Sequence, residues 1–167
     1  MLCIKYIICI ILMAICSISK ADSLKTYTIN HDAAEALFSE YKKVPTKIRA
    51  TILDNINKQS ILSGVNPNTV LAIAITESSL NPKAIGKGKY SQGLMQVNLK
   101  FHRDKFKGNP LNIAENIKVG IEILKKCQDK ANGNLRKTVF CYRGLPSEEY
   151  YTVVAKRKKL GVFKEIK

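Results

Sequence analysis

Metal ligands are scarce in this chain. Its two histidines are His31 and His102, and its five cysteines include no Cys-x-x-Cys pair, so no metal site is expected. Arginine is also scarce beside lysine, and the basic residues are scattered. With no helix-turn-helix, zinc-finger spacing or aromatic RNA platform visible, nucleic acid is not an expected partner. No internal repeat at solenoid or propeller spacing recurs. Acidic residues number 13 against 28 lysines and arginines, a net charge of +15. A lysine-rich surface is commonly no more than a solvated face. On an exported protein, however, the large partners available are anionic envelope polymers, and excess positive charge raises the rate of encounter with them.

Long apolar runs are missing too. Residues 6–15 form one apolar stretch, with Lys5 before it and Ser19-Lys20-Ala21 after it. Ser19 and Ala21 are small residues at the two positions that a signal peptidase reads. This is the pattern of a secretory leader over residues 1–21, cut after Ala21. The stretch is too short to span a bilayer well. An uncleaved anchor is the competing reading, and lipidation at Cys16 is disfavoured by the bulk of Ile15. The expected location is the periplasm or cell envelope, with no membrane contact once the leader is gone. Cleavage removes Cys3, Cys9 and Cys16 and leaves Cys127 and Cys141. In an oxidising compartment such a pair favours a disulfide over two buried free thiols. A closed loop of about fifteen residues would contribute about 3 kcal/mol through lost chain entropy.

The 167 residues suffice for one domain with a substantial core. Residues 22–44 read as a lead-in, polar and mobile through His31, then a short helix over residues 33–43 capped by Asp32. The main domain is expected over residues 45–160. Its first helix follows Pro45, carries Ile48, Ile52, Ile56 and Ile61-Leu62 at close to helical spacing, and stops at Gly64. Asn66-Pro67 starts the next, which is apolar on all sides through Ile75, as a core helix is. Asn81-Pro82 is expected to stop it. Residues 83–97 hold Gly86, Gly88 and Gly93 and read as loop, small hairpin or irregular sheet. Asn112 caps a long helix to about Ala131, with Ile113, Ile117, Gly120-Ile121 and Leu124 inward and Asn132-Gly133 at its end. Asn134 opens another, and Pro146-Ser147 followed by Glu148 and Glu149 opens the last. Residues 161–167 are a basic tail expected to fray. The fold class is α+β, mainly α.

One acid stands apart. The apolar run of residues 70–75 ends abruptly in Thr76-Glu77-Ser78, ahead of a lysine-rich, glycine-opened turn that closes on Gly93-Leu94-Met95-Gln96. A carboxylate where an apolar helix ends is partly desolvated, which disfavours its charged form and raises its pKa. A glutamate tuned in this way holds a proton at neutral pH and can hand it to a leaving oxygen. Taken alone, a glutamate that points at water or pairs with a lysine is the commoner case.

The neighbouring motifs change that balance. Ala74-Ile75-Thr76-Glu77-Ser78, Asn81-Pro82-Lys83-Ala84, Gly93-Leu94-Met95-Gln96-Val97, Asn116-Ile117 with Gly120 and Leu124, and Tyr142 within Phe140-Cys141-Tyr142-Arg143-Gly144 follow one another in order. Together they resemble the lytic transglycosylases of the soluble, SLT-like type, relatives of goose-type lysozyme. The resemblance covers residues 45–160; any one motif alone would be a weak signal. It implies a lysozyme-like single domain with a small irregular β region beside the catalytic helix, no cofactor, and peptidoglycan glycan strands as substrate. It implies that Glu77 is the sole catalytic acid and base, with Ser78 supporting it by hydrogen bonding. Gln96 and the Met95 backbone would line the sugar groove, Asn116 would brace its inner end, and Tyr142 would hydrogen-bond Glu77 or the sugar. The plainer readings are that Ser78 only caps, Met95 is core, and Asn116 is satisfied within its own helix.

The reaction implied is non-hydrolytic cleavage of the β-1,4 bond from N-acetylmuramic acid to N-acetylglucosamine, leaving 1,6-anhydro ends. The alternatives are a goose-type muramidase, for which Asp104 is the one nominated base, and a non-catalytic wall-binding module. Asp104 lies between Arg103 and Lys105 and reads as a surface charge. Small stand-alone domains of this kind resemble those that open the wall for secretion systems, conjugation or phage entry. Three departures bear on the groove. Arg143 stands where asparagine is common, residues 144–149 are short where many relatives carry a longer glycine-rich loop, and the Glu77 to Gly93 spacing exceeds the family's by one residue, in the lysine-rich turn. Which of Tyr150 and Tyr151 takes the family's last aromatic position is open.

Overall fold

The computed structural model describes residues 25–166. The leader expected over residues 1–21, with Cys3, Cys9 and Cys16, lies outside the described residues. In chain order the elements are β1 (Thr26–Ile29), α1 (His31–Glu40), α2 (Thr46–Ser63), α3 (Pro67–Ser78), β2 (Ser91–Gln92) and β3 (Val97–Asn98). They continue with α4 (Leu99–His102), a 3-10 turn (Arg103–Lys105), α5 (Ile113–Lys130), α6 (Leu135–Arg143), α7 (Glu148–Lys158) and β4 (Phe163–Ile166). The architecture is mainly helical with a small β region, the lysozyme-like class expected.

Local capping chemistry sets most of the helix starts. The side chains of Asn66, Asn112, Asn134 and Ser147 accept the backbone N–H of Thr69, Glu115, Lys137 and Tyr150 respectively, each satisfying a donor that the helix leaves without a partner. α2 stops at Gly64, which is left-handed at φ 68°. α3 stops sooner than Asn81-Pro82 would require. Ser79 and Leu80 are both left-handed, at φ 51° and 62°, a conformation that costs an L-residue free energy. The Leu80 side chain is fully buried, and that burial offsets the backbone cost.

Residues 70–75 of α3 are buried on every side, so the helix forms the axis of the core. α7 and α2 pack on α3, α5 packs on α2, and α6 packs on α5 and α7. The bond between Cys127 in α5 and Cys141 in α6 joins two of these helices, with their Cα atoms 5.5 Å apart. Replacing both cysteines with serine is expected to lower stability by about 3 kcal/mol, measured by denaturant titration.

The segments expected to be a mobile lead-in and a fraying tail instead pair with each other. β1 and β4 run antiparallel, with Thr26 opposite Ile166 and Ile29 opposite Phe163. Tyr27 and Phe163 are buried beneath the pair. Side chains then stitch the pair to the core helices. Asn57 Nδ2 donates to the Tyr27 carbonyl at 3.0 Å. Asn68 donates to the Phe163 carbonyl at 2.7 Å and accepts from the Phe163 N–H at 3.0 Å. The pairing also resets α1, which starts at His31 rather than after an Asp32 cap and ends at Glu40 rather than Lys43. The Asn30 N–H that precedes it donates to the Val162 carbonyl, so a contact made across the fold, not a local cap, sets where that helix begins. Among the described residues, no helix is long and apolar enough to cross a membrane.

Candidate active site

α3 carries Glu77 out of the core in its last turn and sets it against a cleft of about 370 Å³. One wall is the β2–β3 region, with Ser91, Gln96, Val97 and Asn98; the other comes from Tyr142, Arg143 and Tyr150 on α6 and α7. Burial pushes the Glu77 carboxyl above the usual carboxylate range, against a hydrogen bond from Tyr150 and the charge of Arg143, which both act downward. The Tyr150 hydroxyl donates a hydrogen bond to Glu77 Oε1. Burial and the adjacent carboxylate both push the Tyr150 hydroxyl far above its ordinary value, so it remains a donor. The cap that starts α7 fixes this tyrosine, since Ser147 Oγ accepts the Tyr150 N–H at 3.3 Å.

Tyr142 also lines the cleft, but its partner is not Glu77. Its hydroxyl donates to the Met95 carbonyl at 2.8 Å, and burial holds it well above the ordinary tyrosine value. Gln96 lines the cleft from a left-handed backbone, φ 46°. Its side-chain amide donates to the Gly93 and Ala84 carbonyls at 2.9 and 3.1 Å, which ties the turn together from within.

Met95 and Asn116 lie beneath the cleft rather than on it, both fully buried. Asn116 is not satisfied within its own helix. Its Oδ1 accepts the Met95 N–H at 2.9 Å, and its Nδ2 donates to the Gln92 and Pro110 carbonyls, each at 2.9 Å. Gly93 is required above it. A Cβ there would sit 2.3 Å from Asn116 Nδ2, on a backbone already at φ 79°. Gly120 makes room for Met95 in the same way, with 2.4 Å from a notional Cβ to the sulfur.

Ser78 does not support Glu77 by hydrogen bonding. Its hydroxyl donates back to the Ala74 carbonyl at 3.0 Å, and it faces a separate hollow with Leu80 and Pro82. One turn position away from Glu77, it points elsewhere because adjacent helical residues diverge by about 100°. Thus Glu77, Gln96 and Tyr142 are brought together on one cleft, while the Ser78, Met95 and Asn116 side chains are not on its surface.

Tyr150, one of the two tyrosines left open, reaches Glu77; Arg143 and His102 join the lining. Arg143 stood out in the sequence only as an exchange for asparagine, and nothing there marked His102. Burial, followed by the charge of Lys105, lowers the His102 pKa. Among the described residues Glu77 is the one carboxylate on the cleft lining, and Asp104 sits exposed on the 3-10 turn outside it. Among the described residues no cluster of histidine, cysteine and acidic side chains could hold a metal ion.

A family model described as "Transglycosylase SLT domain" matches residues 54–153, more than half of the chain. The match spans Glu77, Gln96, Tyr142 and Tyr150. No curated protein matches this sequence.

Proposed function

This chain belongs to the transglycosylase SLT domain family, whose activity is lytic transglycosylation of peptidoglycan, and on that premise we propose a reaction run by one carboxylate. Glu77, protonated, gives its proton to the β-1,4 oxygen between N-acetylmuramic acid and N-acetylglucosamine. The muramyl N-acetyl oxygen bonds to C1 as the C1–O bond breaks, so no second protein carboxylate is needed as nucleophile. The ionised Glu77 then takes the proton of the C6 hydroxyl. That oxygen closes onto C1, releases the N-acetyl group and leaves a 1,6-anhydro ring. Being tethered to the ring it attacks, the hydroxyl has a high effective molarity and outruns water.

The surroundings of Glu77 suit both halves of this cycle. Burial favours the protonated acid that starts it. The Tyr150 hydrogen bond and the Arg143 charge favour the anion that finishes it. Gln96 lines the sugar groove, and Tyr142, committed to the Met95 carbonyl, holds the groove wall. The observation that carries the reading is the half-buried Glu77 on a cleft lining that holds no second acid among the described residues. Hydrolysis would need a base to position water, and Asp104 is outside the cleft. Export by the N-terminal leader would bring the enzyme to its substrate.

Digestion of purified sacculi with mass analysis of the products tests the reaction. Ends one water lighter than those of a muramidase are expected; hydrated reducing ends would reject the transglycosylase reading in favour of the goose-type one. Tyr150 offers a second test. Because Glu77 must start protonated, activity should fall as pH rises through its raised pKa. Tyr150→Phe removes a hydrogen bond that lowers that pKa, so the alkaline limb of the kcat/KM profile should move to higher pH. Turnover should fall about tenfold with the loss of the carboxylate's anchor. A limb that stays in place would mean that Tyr150 does not engage Glu77 in solution.

A further inference from the structure

We propose that Arg143 gives the cleft a carboxylate-binding subsite that reads the muramyl side of the substrate; the inference rests on the peptidoglycan reading above. Arg143 is the last residue of α6, which ends on left-handed Gly144. It is exposed and lines the same cleft as Glu77. Its guanidinium lies 5.1 Å from the centroid of the Tyr150 ring, and that ring's hydroxyl bonds Glu77. A cation–π contact of this kind holds the head near the ring without using any of its five N–H donors.

Among the described residues no carboxylate pairs with those donors. The ion pairs among the described residues are Lys25–Glu165, Lys125–Asp129 and Arg136–Glu148. A guanidinium matches a carboxylate by two parallel hydrogen bonds, which an ammonium or an asparagine cannot supply. When Glu77 is protonated for the first step, no anion remains among the described residues of the lining, while Lys105 and Lys126, partly offset by Asp104, lie near His102 on the other wall. The cleft then favours an incoming negative charge.

Peptidoglycan places such charges on one sugar of each pair. The lactyl ether on O3 of muramic acid ends in a carboxylate, free on strands stripped of stem peptides. Where stems are attached, they carry carboxylates of their own. N-acetylglucosamine has none. A carboxylate subsite beside Glu77 therefore tells the two alternating β-1,4 bonds apart and sets which of them is presented to the acid.

Binding to uncleaved strands tests this. Four soluble ligands are needed: stripped strands, stem-bearing strands, and each of these with its carboxylates converted to methylamides. The Glu77→Gln protein is expected to bind a carboxylate form about tenfold more tightly than its amidated counterpart. Adding Arg143→Gln should remove that preference, Arg143→Lys should retain part of it, and Lys130→Gln, the same loss of charge off the cleft lining, should retain all of it. A preference confined to stripped strands identifies the lactyl carboxylate, and one confined to stem-bearing strands identifies the stem. Amidated strands that bind equally well, or a preference that survives Arg143→Gln, would overturn the subsite. Product masses test the reaction separately. Anhydro ends without a carboxylate preference sink the subsite alone, and hydrated ends with the preference intact sink the transglycosylation alone.

Discussion

Glu77→Gln should abolish lysis of purified peptidoglycan, with turnover falling by about 10³-fold or more, while the protein still sediments with the wall polymer. The size follows from two roles lost at once. A positioned acid or base contributes about 10²–10⁴-fold, and Glu77 is asked to be first one and then the other, with no neighbouring carboxylate on the lining to substitute. The amide keeps the shape of the side chain and its place beside the Tyr150 hydroxyl, so the groove should persist and binding with it. Turbidity loss and co-sedimentation, measured on the same preparation, separate the effects. A variant that still clears sacculi would end the mechanism proposed here, and one that neither lyses nor binds would point to a damaged fold.

The same substitution should change how stability depends on pH. Burial raises the pKa of Glu77 in the folded protein, so the folded state holds the proton more tightly than the unfolded chain does. Stability linked to this group is therefore fully present below the unfolded value, about 4.3, and is lost as pH rises through the higher folded value. Glutamine never ionises. Glu77→Gln should match the parent in acid and be the more stable of the two at neutral pH, a trade of stability for function. Thermal melts of both proteins across that range would show the gap opening upward in pH; a gap that opens downward would mean that the carboxylate is stabilised, not strained, where it sits.

Asn116→Ala should be the most damaging single truncation beneath the cleft, costing about 3–5 kcal/mol. One side chain satisfies three backbone groups that the chain reaches from three directions: the Met95 N–H and the Gln92 and Pro110 carbonyls. Removing it strands the Met95 N–H in a fully buried place and takes a partner from two part-buried carbonyls. The consequence for activity follows from the Met95 carbonyl, which is also the partner of Tyr142. A turn that loses Asn116 thus loses its floor and slackens the opposite wall together. Denaturant titration and turnover at a temperature where the variant remains folded should both fall. A stability loss below about 1 kcal/mol would show that the turn holds itself.

How much of this could be read beforehand depended on how local the cause was. The starts after Asn66, Asn112, Asn134 and Ser147 were legible because each cap acts within three residues. The β1–β4 pair was not, since four-residue strands with one buried side chain apiece carry almost no alternation and find each other across the length of the domain. Glu77 was legible as an interruption of an apolar run. Its partner was not: Tyr150 and Tyr151 are neighbours on a largely polar helix whose one buried residue is Val154, so only the docking of α7 on α3 decides which faces the acid. Met95 and Asn116 were marked by their motifs, but a motif records that a residue matters and not which way it points. What they contribute is the backbone of the turn, held from below.

The pairing of Thr26 with Ile166 has one more consequence. These two residues face each other at one end of the strand pair; at its other end Asn68 is stitched to Phe163, opposite Ile29. From Asn68 to Glu77 the rise along α3 is about 14 Å at 1.5 Å per residue. A tether at either end would therefore hold the molecule on the side where α3 starts, with Glu77 in the last turn of that helix. The same proximity makes the sequence a good subject for circular permutation, in which a short bridge joins the two strands and new ends are opened in a surface turn.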